Sequence, residues 1–528
     1  MRVGIDVGGT HTDAVLLEGK EVLASVKHLT SANVRDGVFG ALDAVLQQAQ
    51  APHSSIDAVM IGTTQFTNAV IERRELAPTA VIRAGLPSGE LIPPMIDWPE
   101  DIANAIGRHA YMIAGGKTYD GFPIGKFDQA ELDLVLDDIA AKGISLIAVS
   151  SVFSPSDPSE EQFLAERIRE RIPGVKMTLS HAIGGMGLLE RENAAILNTA
   201  LLPLADKVIS AFASALEVRG IQCPFFISQN DGTLMSADFA AEFPALTFAS
   251  GPTNSLRGAS LLTQLEDAVV VDIGGTTSDI GVLQGGFPRQ SNVAISVGGV
   301  RTNFRMPDIQ AIGLGGGSIV ARDELCIGPQ SVGYRLVDEG RVFGGQTLTS
   351  TDVAVANGSA AIGDVTKVAG LEPELVEQAT LEMHRIVNVG IDQMRSSAEP
   401  VPVILVGGGA VRISRSLDTA SDVLRPEHSG VANAIGAANA QIGRETELIV
   451  NYREKPRAEV LDELKDSLAQ ELLAAGAAEE TIRIADVEET AISYMANEAS
   501  KLRGKLVGDL EFSSNAPPTD AEPQECLP

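Results

Sequence analysis
One turn, Asp-x-Gly-Gly-Thr-x-x-Asp, occurs twice in the chain: in MRVGIDVGGTHTDAVLLEG at the start and in VVDIGGTTSDIGVLQGG from Val270. Asp6, Gly8, Gly9, Thr10, Asp13, Leu17 and Gly19 return as Asp272, Gly274, Gly275, Thr276, Asp279, Leu283 and Gly285, all at one constant offset. Each copy follows a strongly apolar run and precedes another, which places it at the hairpin between the first two strands of a domain. Seven matches in register imply a duplicated α/β fold. At 528 residues the chain is long enough to bury a separate core in each copy and in further segments.

The composition of the turn suits phosphate. Gly-Gly permits positive φ and brings backbone N–H groups within hydrogen-bonding distance of phosphate oxygens, and Thr10 and Thr276 add hydroxyl donors. His11, Thr12 and Thr277 complete the two loops as nucleotide-contact candidates. An aspartate at the end of the preceding strand would repel phosphate unless a hard cation lay between them, so Asp6 and Asp272 are expected to hold Mg²⁺. Asp13 and Asp279 either close their hairpins or serve as a base or a ligand of a metal-bound water. Two such hairpins facing each other would grip a triphosphate from both sides. A third glycine element, VILVGGGAV, puts Gly407, Gly408 and Gly409 after a buried strand, either against a base or ribose or at a tight strand–helix crossing.

Along the chain, Val3–Val7, Ala14–Leu17 and Glu21–Val26 read as a three-strand meander, followed by a helix from Val34 and a buried strand at Ala58–Ile61. The expected division is a first half over 1–75 and 186–265, an inserted α/β segment at 76–185, and a second half at 266–445. A small α+β segment at 446–514, with a helix at Glu459–Ala475 and a strand at Ala491–Asn497, and a disordered tail at 515–528 complete it. Leu188–Val218 reads as helical with a break at Pro203. Lys plus Arg number 40 against 70 Asp plus Glu, a net charge of -30 that repels nucleic acid and anionic membranes. Cys223, Cys326 and Cys526 have no metal-ligand spacing. With no leader-like start and no run of about 18 apolar residues, the chain reads as cytoplasmic, neither exported nor membrane-spanning.

With Asp6–Asp13, Asp272–Asp279 and Val406–Ala410 in this order, the chain resembles the actin, sugar kinase and chaperone-ATPase superfamily. More specifically it resembles the hydantoinase/oxoprolinase A-type family, in VGIDVGGTHTDAVLL, GTTQFTNAVIERR, NAAILNTALLPL, ASGPTNSLRGA, DIGGTTSDIGVL, GLGGGSIV, TSTDVAVANG and EHSGVANAIGAA. The resemblance implies duplicated actin-like (ribonuclease H-like) ATPase domains around a nucleotide cleft, with ATP and Mg²⁺ bound there. It also implies ATP-dependent opening of a cyclic amide such as hydantoin or 5-oxoproline, often with a B-type partner subunit; some relatives are carboxylases. Ile61 stands where family members commonly carry His. A small-molecule kinase, a carboxylase subunit and a non-catalytic ATP-gated regulator remain alternatives, and a homo-oligomer stays open.

Substrate is expected beyond the γ-phosphate, in the interdomain cleft. The candidates are Thr63, Thr64 and Asn68, Asn230 and Asp231, and Ser250 and Asn254. Thr64 and Asn68 could equally cap a helix, and Asn230–Asp231–Gly232 could be a turn alone. The run GLGGGS at 313–318 is either an anion cradle or a flexible turn. His11, His181 and His428 lack spaced partners, so no zinc site is assigned.

Overall fold
In the computed structural model the described residues are 1–8, 11–29, 34–291, 294–304, 306–321, 325–453, 455–492 and 499–511. Both expected hairpins are present, and their registers coincide. Arg2–Val7 pairs antiparallel with His11–Glu18 from Arg2↔Leu17 to Val7↔Thr12. Ala268–Ile273 pairs with Ser278–Gln284 from Ala268↔Leu283 to Ile273↔Ser278, the same partners at the same offset.

Around each hairpin the sheet is built alike. In the first, Glu21–Leu29 joins the outer side of the hairpin antiparallel, while Ala58–Thr63 and then Phe225–Ser228 extend the inner side in parallel. In the second, Phe287–Pro288 and Ile309–Ile312 pair with the outer strand, and Val401–Val406 and Ala420–Leu424 follow in parallel on the inner side. This is the duplicated actin-like arrangement. Val3, Ile5 and Val7 point into a core shared with Val38, Leu42 and Val45 of the helix Val34–Ala49. The other face of the strand is nearly bare at Gly4, where a Cβ would overlap the carbonyl of Ala434. The helix Ala432–Ala438 therefore lies directly on the first sheet although it falls within the expected second half, 266–445.

That helix crosses Ser250–Thr263 at van der Waals contact. A Cβ at Gly258 would run into the carbonyl of Ala432, and one at Gly436 into the carbonyl of Asn254. Glycine at both positions is a requirement of close backbone approach, not of unusual φ.

The inserted segment forms a four-stranded parallel sheet in the order His109–Ala114, Ala80–Leu86, Leu146–Ser151, Lys176–Leu179. Leu188–Val218 does not break: it runs as one 31-residue helix with Pro203 inside it. An internal proline costs about 3 kcal/mol, but Ala200, Leu201, Leu204 and Ala205 around it are buried, and each large apolar side chain buried returns about 1.5–3 kcal/mol. Among the described residues this is the one helix long and apolar enough to cross a membrane, and 72% of its apolar window is buried inside the structure.

The C-terminal helix Arg457–Ala474 forms as expected, but the strands beside it do not make a sheet of their own. Ile442–Asn451, Ala499–Gly508 and Arg483–Ala491 continue the first sheet through Leu234–Ser236, giving it nine strands. Ala499–Gly508 lacks apolar alternation because one face buries Leu502 and Leu506 while the other buries Arg503 and Lys505, each neutralised by carboxylates. The strand expected at Ala491–Asn497 falls largely outside the described residues.

Gly436→Ala tests the helix crossing. Alanine is the better helix former by about 1 kcal/mol, yet the overlap with Asn254 should make the variant less stable by about 1–3 kcal/mol in urea unfolding. Gly430→Ala, where a Cβ meets nothing within 4 Å, should stay within about 0.5 kcal/mol of the parent.

Candidate functional site
The two turns close in the same way: Gly8 N donates to His11 O at 3.0 Å and Gly274 N to Thr277 O at 2.9 Å. Gly9 and Thr10 lie outside the described residues. Gly274 and Gly275 do not take the positive φ expected of them. Close packing bears instead on Gly315 behind the turn, where a Cβ would press within 2.5–2.7 Å of the Gly275–Thr276 backbone. The run GLGGGS braces this turn from behind, Gly316 N donating to Gly274 O at 3.0 Å and Gly317 N to Gly275 O at 2.7 Å.

Register sets Asp6 opposite Asp13 and Asp272 opposite Asp279. Asp6 is buried between two helices: Asn254 Nδ2 donates to its Oδ1 at 3.1 Å and Asn433 Nδ2 to its Oδ2 at 3.0 Å. Burial outweighs these bonds and, with the charges of Asp13 and Asp272, pushes its carboxyl up to about 6. Gly62 makes the contact with Asn254 possible, since a Cβ there would sit on the Asp6 carboxylate. Asp272 accepts a bond from Ser255 Oγ and is raised, again first by burial. Because Asp272 acts on Asp6 and Asp13 acts on Asp272, the two hairpin ends lie within electrostatic reach of each other.

The outer aspartates differ. Asp13 is gripped by Lys27, whose Nζ lies 2.7 and 2.9 Å from its two oxygens. Asp279 has no hydrogen-bonding side chain on it among the described residues, and burial followed by the charge of Asp272 pushes it up to about 7. His11 is lowered by burial and then by Lys27, which favours its neutral form.

The expected substrate residues fall into two places. Thr63 ends its strand buried, and its carbonyl accepts from Ser250 Oγ at 3.5 Å. Thr64 is the residue before the helix Gln65–Glu72, but its hydroxyl does not cap that helix. It reaches across to Val7 O at 3.2 Å, beside the first hairpin. Asn68 is exposed one turn further on, its Nδ2 3.5 Å from Thr64 Oγ1. Thr63, Thr64, Asn68, Ser250 and Asn254 thus gather around Asp6. Asn230 and Asp231 lie elsewhere, in a buried turn: Asp231 accepts from Thr233 N and Oγ1 and pairs with Lys505 at 2.8 Å. Burial would raise Asp231, but Lys505 and those bonds hold it below the usual carboxylate range. Asn230 Nδ2 faces only the sulfur of Met306, at 3.8 Å.

In the third glycine element, Gly407 at φ 81° and Gly409 serve close packing, since side chains there would strike Asp272 and Ile273. Gly409 N also donates to Ile273 O at 2.7 Å. Gly408 and Gly275 instead border open space, with no atom within 4 Å of where a Cβ would stand. The chain then makes a single 3-10 turn, Ala410–Arg412, in place of the expected helix. Lys27, Ser255 and Asn433, which the sequence reading did not single out, complete the site. Asn433 stands in the quoted VANAIG run, but nothing local marks it as a partner of Asp6, 427 residues away.

No three His, Cys, Asp or Glu side chains converge as a metal cage among the described residues. Magnesium does not need one, because it binds through one or two carboxylates with water and phosphate oxygens. Two buried carboxylates, Asp6 and Asp272, raised first by burial and further by neighbouring carboxylates, provide the environment that a divalent cation relieves. Bare main chain at Gly275 and Gly408 leaves room for a nucleotide beside them. The residues present therefore fit Mg²⁺ with a nucleotide.

Residues 2–172 match the family model described as hydantoinase/oxoprolinase N-terminal region, and residues 191–394 the model described as hydantoinase/oxoprolinase. The chain belongs to the hydantoinase/oxoprolinase family. It is 26% identical over 387 residues to the caprolactamase subunit alpha of Pseudomonas jessenii, covering 69% of this chain and 55% of that one. An uncharacterized protein of Methanocaldococcus jannaschii is 25% identical over 430 residues, covering 74% of this chain and 62% of that one. The chain thus spans little more than half the length of these curated relatives. Among solved structures, the ATP-dependent caprolactamase of Pseudomonas jessenii superposes with a TM-score of 0.76 at 20% identity, covering 97% of this chain and 88% of that one. A nucleotide-free acetone carboxylase gives 0.66 at 16% identity with the same coverage. In this hydantoinase/oxoprolinase chain Ile61, where the resemblance led to an expectation of histidine, is fully packed in the core of the first half.

The raised Asp279 makes a signed prediction. Its folded value of about 7 lies above the ordinary 3.8, so the fold favours the protonated acid. That stability is complete below about pH 4 and is lost as the pH rises through about 7. Asp279→Asn should therefore gain on the parent across that window, by on the order of 1–3 kcal/mol, and by no more above it. Thermal unfolding of both proteins from pH 4 to 8.5 measures it; a constant difference would contradict the burial argument.

Proposed function
We propose that this chain is the A-type subunit of an ATP-dependent hydrolase that opens a cyclic amide, a hydantoin, 5-oxoproline or related lactam, by phosphorylating its carbonyl oxygen. The observation that supports this most is the pair of hairpins in identical register, which places Asp272 within electrostatic reach of Asp6, Asp13 and Asp279. A caprolactamase among its relatives points to lactam chemistry.

An unstrained amide resists water because of its resonance, and phosphorylating the oxygen removes that protection. The carbonyl oxygen attacks the γ-phosphorus as the bond to the bridging oxygen breaks, and ADP departs with the electron pair. Water then adds to the activated carbon and gives up a proton. The ring C–N bond breaks with a proton passing to nitrogen, and a second water hydrolyses the acyl phosphate to carboxylate and phosphate. Phosphoryl transfer needs mainly positioning and charge neutralisation. In this reading Asp6 and Asp272 would hold Mg²⁺, which would supply neutralisation of charge on the transferring group.

The protein's own groups do the rest. Turn N–H groups and the hydroxyls of Thr10 and Thr276 hold phosphate oxygens. Asn254 and Asn433 fix the orientation of Asp6. Asp279, titrating near neutrality with no side-chain partner among the described residues, is the general base for water. Thr64 and the exposed Asn68 border the lactam beside the first hairpin.

The test is to incubate the chain with ATP, Mg²⁺ and a panel of 5-oxoproline, hydantoins and caprolactam, reading phosphate and ring-opened product together. Stimulated phosphate release with product is expected from the chain alone or after adding a B-type subunit. Asp6→Ala and Asp272→Ala should each lower both by about 100-fold or more. Release stimulated by a ketone with bicarbonate, and by no lactam, would replace this reading with a carboxylase.

A further inference from the structure
Lys27 sits on the third strand of the first half, directly across from Asp13, and grips both its oxygens. Nothing in the backbone requires that pair. The second copy dispenses with it: the strand Ile309–Ile312 sets Ala311 opposite Asp279 where the first copy sets Lys27 opposite Asp13. The same fold thus stands with and without the cation, and a lysine–carboxylate pair whose lysine is 39% exposed contributes little to stability.

The position of the charge points elsewhere. Lys27, held on Asp13, also acts on Asp272, which belongs to the opposite hairpin, and on His11 in the first turn, so its ammonium lies within electrostatic reach of both hairpins. Among the described residues no lysine or arginine is paired with Asp6, Asp272 or Asp279. Four carboxylates therefore share one ammonium. A triphosphate entering this cleft brings further negative charge, and a terminal phosphate offers an ammonium more charge than one carboxylate does. The four-carbon stem of lysine lets Nζ move to it while the strand stays fixed.

We propose that Lys27 is the residue of this chain that contacts the γ-phosphate of bound ATP, leaving Asp13 to do so, and that the phosphate to be transferred lies on the first-hairpin side of the cleft. This rests on the nucleotide-binding reading above. The two halves are then unequal: the first handles the transferred phosphate, and the second, where Ala311 faces an unpaired Asp279, handles water.

Affinities for ATP and for ADP, each with Mg²⁺ and measured calorimetrically, test it without any turnover. In Lys27→Met the ATP affinity should fall by about 10- to 100-fold while the ADP affinity stays within about threefold, and Lys27→Arg should recover part of the loss. Because removing Lys27 alone strands the Asp13 charge, the double variant Lys27→Met/Asp13→Asn is measured beside it and should show the same loss of preference for ATP. An unchanged ATP-to-ADP ratio in the variants, with the parent binding both, overturns the proposal and leaves the nucleotide reading intact. A parent that binds neither nucleotide overturns that reading, and the proposal with it.

Discussion
Asp6 can occupy its buried place only because two asparagines from two different helices reach its two oxygens. Those helices, Ser250–Thr263 and Ala432–Ala438, come close enough to do so because Gly258 and Gly436 remove the side chains that would hold them apart. Much of the architecture depends on this crossing. The second of the helices belongs to the second half by its place in the sequence but lies on the first sheet at Gly4, so the two halves cannot part there without stripping Asp6 of a partner. A buried carboxyl without such donors would be costly, and with them it remains raised but held in one orientation.

The duplication preserved the backbone and let the chemistry diverge. Both turns close with the same bond and both hairpins share one register, because glycine positions and strand pairing set the course of the main chain. The side chains around the paired aspartates are not duplicated. Asp6 has two asparagines and Asp272 a serine, while Asp13 has a lysine and Asp279 faces an alanine. Carboxyl groups at equivalent positions consequently meet different partners, which is how one repeated motif can supply both a phosphate-binding side and a basic side.

Much of the framework was legible in the residues: both hairpins, the helix Val34–Ala49, the strand Phe225–Ser228 and the helix Ala432–Ala438 announce themselves through apolar runs and glycine turns. What escaped has a common cause. Pro203 reads as a break because local propensity does not register how deeply its neighbours are buried. Ala499–Gly508 hides as a strand because the charges of Arg503 and Lys505 are cancelled only by residues far away in sequence. Asn230 and Asp231 look like cleft residues until Lys505 is seen to hold the turn.

By itself, then, the sequence determined the repeated strand–turn–strand unit, the type of chemistry its glycines and aspartates suit, and the family to which the chain belongs. Those are properties of short windows and of one long-range repeat, written in residue identity. Only the tertiary structure decided which aspartate is paired and which has no side-chain partner among the described residues, that Asn254 and Asn433 meet on Asp6, and that Lys27 lies within electrostatic reach of Asp272 in the opposite hairpin. Burial and charge pairing depend on distances in space, and the partners concerned come from strands and helices that no local pattern connects.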